Sequence, residues 1–248
     1  ALDALSSGTF SNTAVGSFAG TAITSGQNNI AIGVSSLASC TSGGSNVAIG
    51  DEALNAATTS SNNTAVGKAA LTANTTATQN TAIGANAMDS NTTGSHNTAV
   101  GYLSAEKNTT GASNVAVGVL SLTDNTSGSN NTALGDSALR DNTTASNNTA
   151  VGRHCLRDNT TGSLNAGLGT DALQKNLTGT SNTGVGYEAL RENTTASNNT
   201  AIGRSALLAN TSASNNTACG HLALVANTTG ENNTAVGSTA LDNCTTGS

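Results

Sequence analysis

The sequence predicts an all-β chain: a parallel β-solenoid, or β-roll, of about fourteen 17-residue coils. Three observations carry this. A glycine closes each Asn-Thr-Ala-Val-like run at Gly16, Gly33, Gly50 and onward to Gly237. The spacing is always seventeen, with no insertion or deletion. The composition suits no ordinary globular core of 248 residues, with aromatics at 2%, charged residues at 9% and no proline. No 3.6-residue apolar period survives, whereas the repeated run alternates with period two. One repeat domain is expected over residues 1–248, with an imperfect coil at 1–11 and regular repeats over 12–248.

Numbered from its first Asn, the coil reads N-T-A-V-G-x-x-A-L-x-x-N-T-T-G-S-N. Position 1 is Asn in all fourteen coils, as at Asn63, Asn80 and Asn97. A corner Asn in a left-handed conformation, or one bonded to nearby backbone, is expected there. Positions 2 to 4 read as a short strand. Position 2 is mostly Thr but becomes Ile30, Val47 and Val115, and position 4 holds aliphatic residues such as Val66 and Ile83. Position 3 is Ala or Gly throughout. The expected arrangement has positions 2 and 4 facing in and position 3 facing out. Gly67 and Gly84, at position 5, end the strand where the turn needs freedom in φ.

Positions 8 and 9 are small then large, as in Ala70-Leu71. A turn could fold both inward; otherwise one leaves a leucine stripe outside. Positions 6, 7, 10 and 11 hold nearly all the charge and read as exposed corners. Position 12 is Asn in ten coils, as at Asn74 and Asn91, but Ile23, Cys40, Ala57 and Cys244 in the others. A position accepting Ile and Cys faces inward. A buried Asn needs a partner, and amides stacked about 4.8 Å apart bond one another along the axis. Positions 13 to 17 read as a second short strand and a polar turn. The whole stack would be roughly 65 Å long at the strand spacing.

Chemistry is sparse. Cys40, Cys155, Cys219 and Cys244 lie coils apart, beyond disulfide reach, and read as small buried thiols. No CxxC pair supports a metal site, and none of His96, His154 and His221 completes a triad-like pattern. Asp124, Asp141 and Asp158 share position 11, with Arg140 and Arg157 beside them to offset repulsion. No catalytic, metal or cofactor constellation emerges, so a non-enzyme is expected. The net charge of −6 without a basic cluster argues against nucleic-acid binding. No apolar run approaches a membrane span, so no membrane insertion is expected. The absence of a signal peptide and initiator Met reads as a processed chain or an excised segment. About sixteen Asn-x-Ser/Thr tripeptides fall out of the repeat.

The string NTAVGxxALxxNTTGxxNTAVG resembles repeats of bacterial and phage tail-fibre-domain proteins, over essentially residues 12–248. Its shorter core, Ser45-Asn46-Val47-Ala48-Ile49-Gly50, is similar to head repeats of trimeric autotransporter adhesins. The second resemblance implies left-handed parallel β-rolls associating as trimers. Together they imply an extracellular location, on a cell or virion surface, and a cell-surface glycan or receptor as a further partner.

The expected function is therefore a shaft or filament-forming segment of an extracellular fibre or adhesin. Copies of the chain would be its partners, as a homotrimer or a head-to-tail polymer. Ala65, Ala82, Ala99, Ala133 and Ala150 form the expected association stripe. The alternative is an ice-binding (antifreeze) solenoid, with Thr75, Thr92, Thr109, Thr126 and Thr143 as its ladder. Against that alternative, the rows read NTAV and NTTG rather than T-x-T, and Thr ladders also serve sheet stability alone.

Overall fold

A computed structural model describes residues 11–247. The opening coil expected at 1–11 lies outside them, apart from Ser11. The chain is a parallel β-solenoid of stacked 17-residue coils, and it divides between Ser127 and Gly128 into two compact units. The first unit carries β1 (Thr13–Val15), β2 (Ile30–Ile32), β3 (Val47–Ile49), β4 (Thr64–Val66), β5 (Thr81–Ile83), β6 (Thr98–Val100) and β7 (Val115–Val117). The second carries β8 (Thr132–Leu134), β9 (Thr149–Val151), β10 (Ala166–Leu168), β11 (Thr183–Val185), β12 (Thr200–Ile202), β13 (Thr217–Cys219) and β14 (Thr234–Val236). Within each unit consecutive strands pair parallel and in register, as Thr64↔Thr81, Ala65↔Ala82 and Val66↔Ile83 do between β4 and β5.

The strand faces are the reverse of the expected ones. Ala65, Ala82, Ala99, Ala133 and Ala150 are each fully buried, so they form no outward association stripe. Positions 2 and 4 point out, and Ile83 and Ile202 keep about two fifths of their surface exposed, 41% and 43%. The reason is the width of the coil. Position 3 faces the side chains of positions 8 and 9, and nothing larger than a methyl group fits between. A Cβ built on Gly184 would lie 3.1 Å from Leu173 Cγ. At Gly167 it would collide with the Cys155 sulfur. Where position 8 holds Cys155, position 3 of the following coil is Gly167 in place of Ala.

Positions 8 and 9 both turn inward. Ala70 and Leu71 are fully buried, as are Leu139, Leu156 and Leu190. The device is a pair of left-handed residues around position 8. Position 7 has φ near 55°, as at Ala69, and position 9 has φ near 50°, as at Leu71 (φ 53°). A left-handed non-glycine residue costs about 1–2 kcal/mol. The pair therefore costs about 2–4 kcal/mol, and full burial of the leucine side chain offsets about 1.5–3 kcal/mol of it. No leucine stripe is left outside at position 9, except at Leu241 in the final coil.

Gly67 and Gly84 sit at φ 136° and 138°, as the turn requires. They also permit close stacking: a Cβ on Gly67 would lie 2.5 Å from the Gly84 carbonyl oxygen. Axial hydrogen bonds then recur around the coil. In the coil of β4 they include Thr64 N–H to Asn80 O (2.8 Å), Leu71 N–H to Ala87 O (3.0 Å) and Thr75 N–H to Thr92 O (3.2 Å).

Candidate functional surface

Two asparagine ladders hold the interior, and neither presents a surface. At position 1, Asn80 N–H donates to Asn63 Oδ1 (3.0 Å), and Asn97 N–H donates to Asn80 Oδ1 (2.9 Å). Each side-chain amide also crosses its own coil: Asn63 Nδ2 donates to Ala77 O (3.0 Å), and Asn80 Nδ2 to Gly94 O (2.9 Å). Position 1 thus bonds backbone, as expected. The left-handed corner is its neighbour at position 17, as at Asn62 and Gln79 (φ 60° and 59°). At position 12, Asn91 Nδ2 donates to Asn74 Oδ1 (3.2 Å) and to Gly94 O (3.0 Å). The Gly94 carbonyl therefore accepts from both ladders. Buried amides with all these partners stabilise the coil instead of penalising it.

The Thr row at position 13 is bonded too. Thr75 Oγ1 donates to Thr92 O (3.2 Å), Thr92 Oγ1 to Thr109 O (3.0 Å), Thr109 Oγ1 to Thr126 O (2.8 Å) and Thr143 Oγ1 to Thr160 O (3.0 Å). Thr126, the remaining member of the expected ice ladder, accepts at its carbonyl. This row spends its donors along the coil stack.

The strand face differs. Thr64, Thr81, Thr98, Thr149, Thr183 and Thr200 at position 2 have no side-chain hydrogen bond to protein. Beside them, position 4 supplies Val66, Ile83, Val100, Val151, Val185 and Ile202. Neither position holds a charged residue in any coil. Position 6 borders this face with exposed Tyr102 and Val119 in the first unit and Tyr187 in the second, where the Arg204 guanidinium lies 6.0 Å from the Tyr187 ring. Sequence reasoning missed this face because it assigned the strand the opposite orientation. The signal was present in position 3, whose restriction to Ala and Gly marks a crowded interior.

Charge gathers at positions 10 and 11 and also beside this face, at positions 6 and 7, as at Asp51, Lys68, Asp136, Arg153 and Arg204. The position-11 aspartates are individually paired: Lys107 Nζ–Asp124 Oδ1 is 2.7 Å, and Arg140 Nε–Asp141 Oδ1 and Arg157 Nε–Asp158 Oδ1 are each 2.6 Å. His154 lies between coils, 3.3 Å from Asp171 Oδ1 and 4.0 Å from Asp136 Oδ2. Among the described residues no cluster of His, Cys, Asp and Glu is arranged to hold a metal ion, and no pocket opens. No helix there is long and apolar enough to cross a membrane.

The cysteines divide in a way the sequence did not show. All four are free thiols, with Cys40 and Cys155 buried, Cys244 half-buried and Cys219 exposed at position 4. Burial pushes the Cys155 thiol up to about 12, and it raises Cys40 as well.

Comparison with protein-family models, curated proteins and solved structures finds no match to this chain.

Proposed function

We propose that this chain is a non-enzymatic structural segment of an extracellular fibre or adhesin shaft, displayed on a cell or virion surface, in which copies associate side by side. The observation that supports it is the strand face, a repeated row of aliphatic side chains left in water with no charge among them. Contiguous apolar surface of this kind marks a partner surface. Copies of the same chain offer a partner with the same coil spacing, so aliphatic rows can interdigitate coil by coil. A homotrimer agrees with the adhesin resemblance. The contacts run through positions 2 and 4 in place of the buried alanines. The test places charge on the face. Ile83→Lys with Ile202→Lys should reduce an assembled species to the single-chain mass of 24.1 kDa. Thr75→Lys, in the position 13 row, should leave assembly intact. Assembly that survives the double variant contradicts the proposal.

A second reading, ice binding, is supported by a specific observation on the same face. The position-2 hydroxyls are unpartnered and regularly spaced at about 4.8 Å, beside a methyl-rich row. This moves the ice-binding alternative from position 13 to position 2. Thermal hysteresis of the single chain, abolished by Thr81→Lys and untouched by Thr92→Lys, would select that reading over the fibre.

A further inference from the structure

The Asn-x-Ser/Thr tripeptides produced by the repeat fall into two classes that the fold treats oppositely. Ten begin at position 12, as Asn74-Thr75-Thr76 does. Their asparagines are buried at 0–1% exposure. Their amides are also fully engaged. Asn108 Nδ2 donates to Asn91 Oδ1 (2.8 Å) and to Gly111 O (3.0 Å), and Asn193 Nδ2 donates to Asn176 Oδ1 (2.7 Å) and to Ala196 O (3.0 Å). A substituent on such a nitrogen would take the place of one of the two donating hydrogens, break that bond, and have no volume to occupy.

The other class begins at position 17 and reads Asn-Asn-Thr. It comprises Asn62, Asn130, Asn147, Asn198, Asn215 and Asn232. These six are exposed, stand at a left-handed corner with φ between 59° and 62°, and have no side-chain hydrogen bond to protein. The middle Asn is the position-1 ladder residue, which holds the corner in place. The third residue is the position-2 Thr, whose hydroxyl faces outward. Both ends of the tripeptide thus stand on one accessible edge while its centre is anchored. Asn243-Cys244-Thr245, in the final coil, is exposed as well.

We propose that the six position-17 asparagines are N-glycosylation sites of the folded chain, and that the position-12 asparagines are closed to this modification. The glycosyl donor is a sugar activated through a phosphate ester at C1. The Asn Nδ2–C1 bond forms as the C1–O bond to phosphate breaks. The phosphate departs with the electron pair, and the amide gives up one proton. Five of the six sites lie beyond Gly128, so the second unit would carry most of the sugar. The Thr of each tripeptide lies on the strand face, so association through that face would cover it, and the proposal concerns the dissociated chain.

The test uses the folded full chain, UDP-glucose and a soluble glycosyltransferase that reads Asn-x-Ser/Thr, with sites mapped by mass spectrometry. Free peptides spanning Asn62-Asn63-Thr64 and Asn74-Thr75-Thr76 serve as unfolded substrates. Both peptides should take glucose. The folded chain should take it at the six corners and at none of the ten position-12 asparagines. Glucose on Asn74 or its equivalents in the folded chain overturns the proposal. So does a folded chain unmodified at the corners, or a corner peptide that the enzyme refuses.

Discussion

Most coils carry two threonines with the same side chain and opposite roles. At position 13 the hydroxyl donates to the next coil's carbonyl, as Thr92 does to Thr109 O at 3.0 Å. At position 2, Thr81 and Thr98 keep theirs for the solvent. The strand makes the second arrangement. Strand side chains stand roughly perpendicular to the sheet, so an outward hydroxyl points away from the axial carbonyls. At the position 13 corner one carbonyl accepts both an amide and a hydroxyl, as Thr92 O does from Thr75 N–H and Oγ1. Residue identity alone therefore does not separate a structural ladder from an exposed row; the direction of the side chain does.

Asn97 and Thr98 are neighbours in one coil, one on the buried ladder and one on the outward-facing row. Asn97→Ala should be the most damaging change. It removes the acceptor of Asn114 N–H (2.9 Å) and the donor to Gly111 O (2.9 Å) in a buried site, a loss of about 2–4 kcal/mol in chemical denaturation. The adjacent Thr98→Ala, on the free row, should stay within about 0.5 kcal/mol. Equal losses would mean that the ladder residue and the surface residue are not distinct.

Overpacking comes next. Ala82→Leu adds volume at a fully buried position and should cost about 1–3 kcal/mol, with a lower midpoint in urea. Ile83→Leu, on the outward side of the same strand, should be nearly silent. A tolerated Ala82→Leu would restore the orientation expected from the sequence.

Direct comparison of the two Thr rows gives a smaller effect. Thr92→Val should lose about 1 kcal/mol with its hydrogen bond, while Thr81→Val should be neutral. Ser104→Ala should gain up to about 1 kcal/mol, because the buried Ser104 hydroxyl has no partner.

Thiol chemistry separates inside from outside without a stability change. At pH 8 Cys219 should react with a disulfide reagent in the native chain, and Cys155 only after unfolding. The raised Cys155 pKa also has a stability consequence. Its contribution is complete below the unfolded thiol's value of about 9. It is lost as pH rises towards about 12, because the unfolded state then releases its proton first.

The repeat length, the parallel stack, the glycine turn and the position-12 amide ladder were all legible in the sequence. Strict register makes every coil report on the same volume, so Ile23 and Cys40 at an Asn position reveal its inward direction. Strand orientation was not legible by the usual alternation. That rule assigns the larger apolar residues to the core, and here the core beside the strand is filled from the opposite wall by Leu71 and its equivalents. The left-handed leucines that fill it have no sequence signature, because leucine is not a residue that favours positive φ. The exposed face, and with it the candidate association surface, followed from those two facts.

The most direct test of the account is the absolute mass of the purified chain by light scattering over a concentration series. Self-association through the strand face predicts a defined multiple of 24.1 kDa, a trimer in the proposed arrangement, or a mass that grows with concentration. A single 24.1 kDa species at every concentration would contradict it.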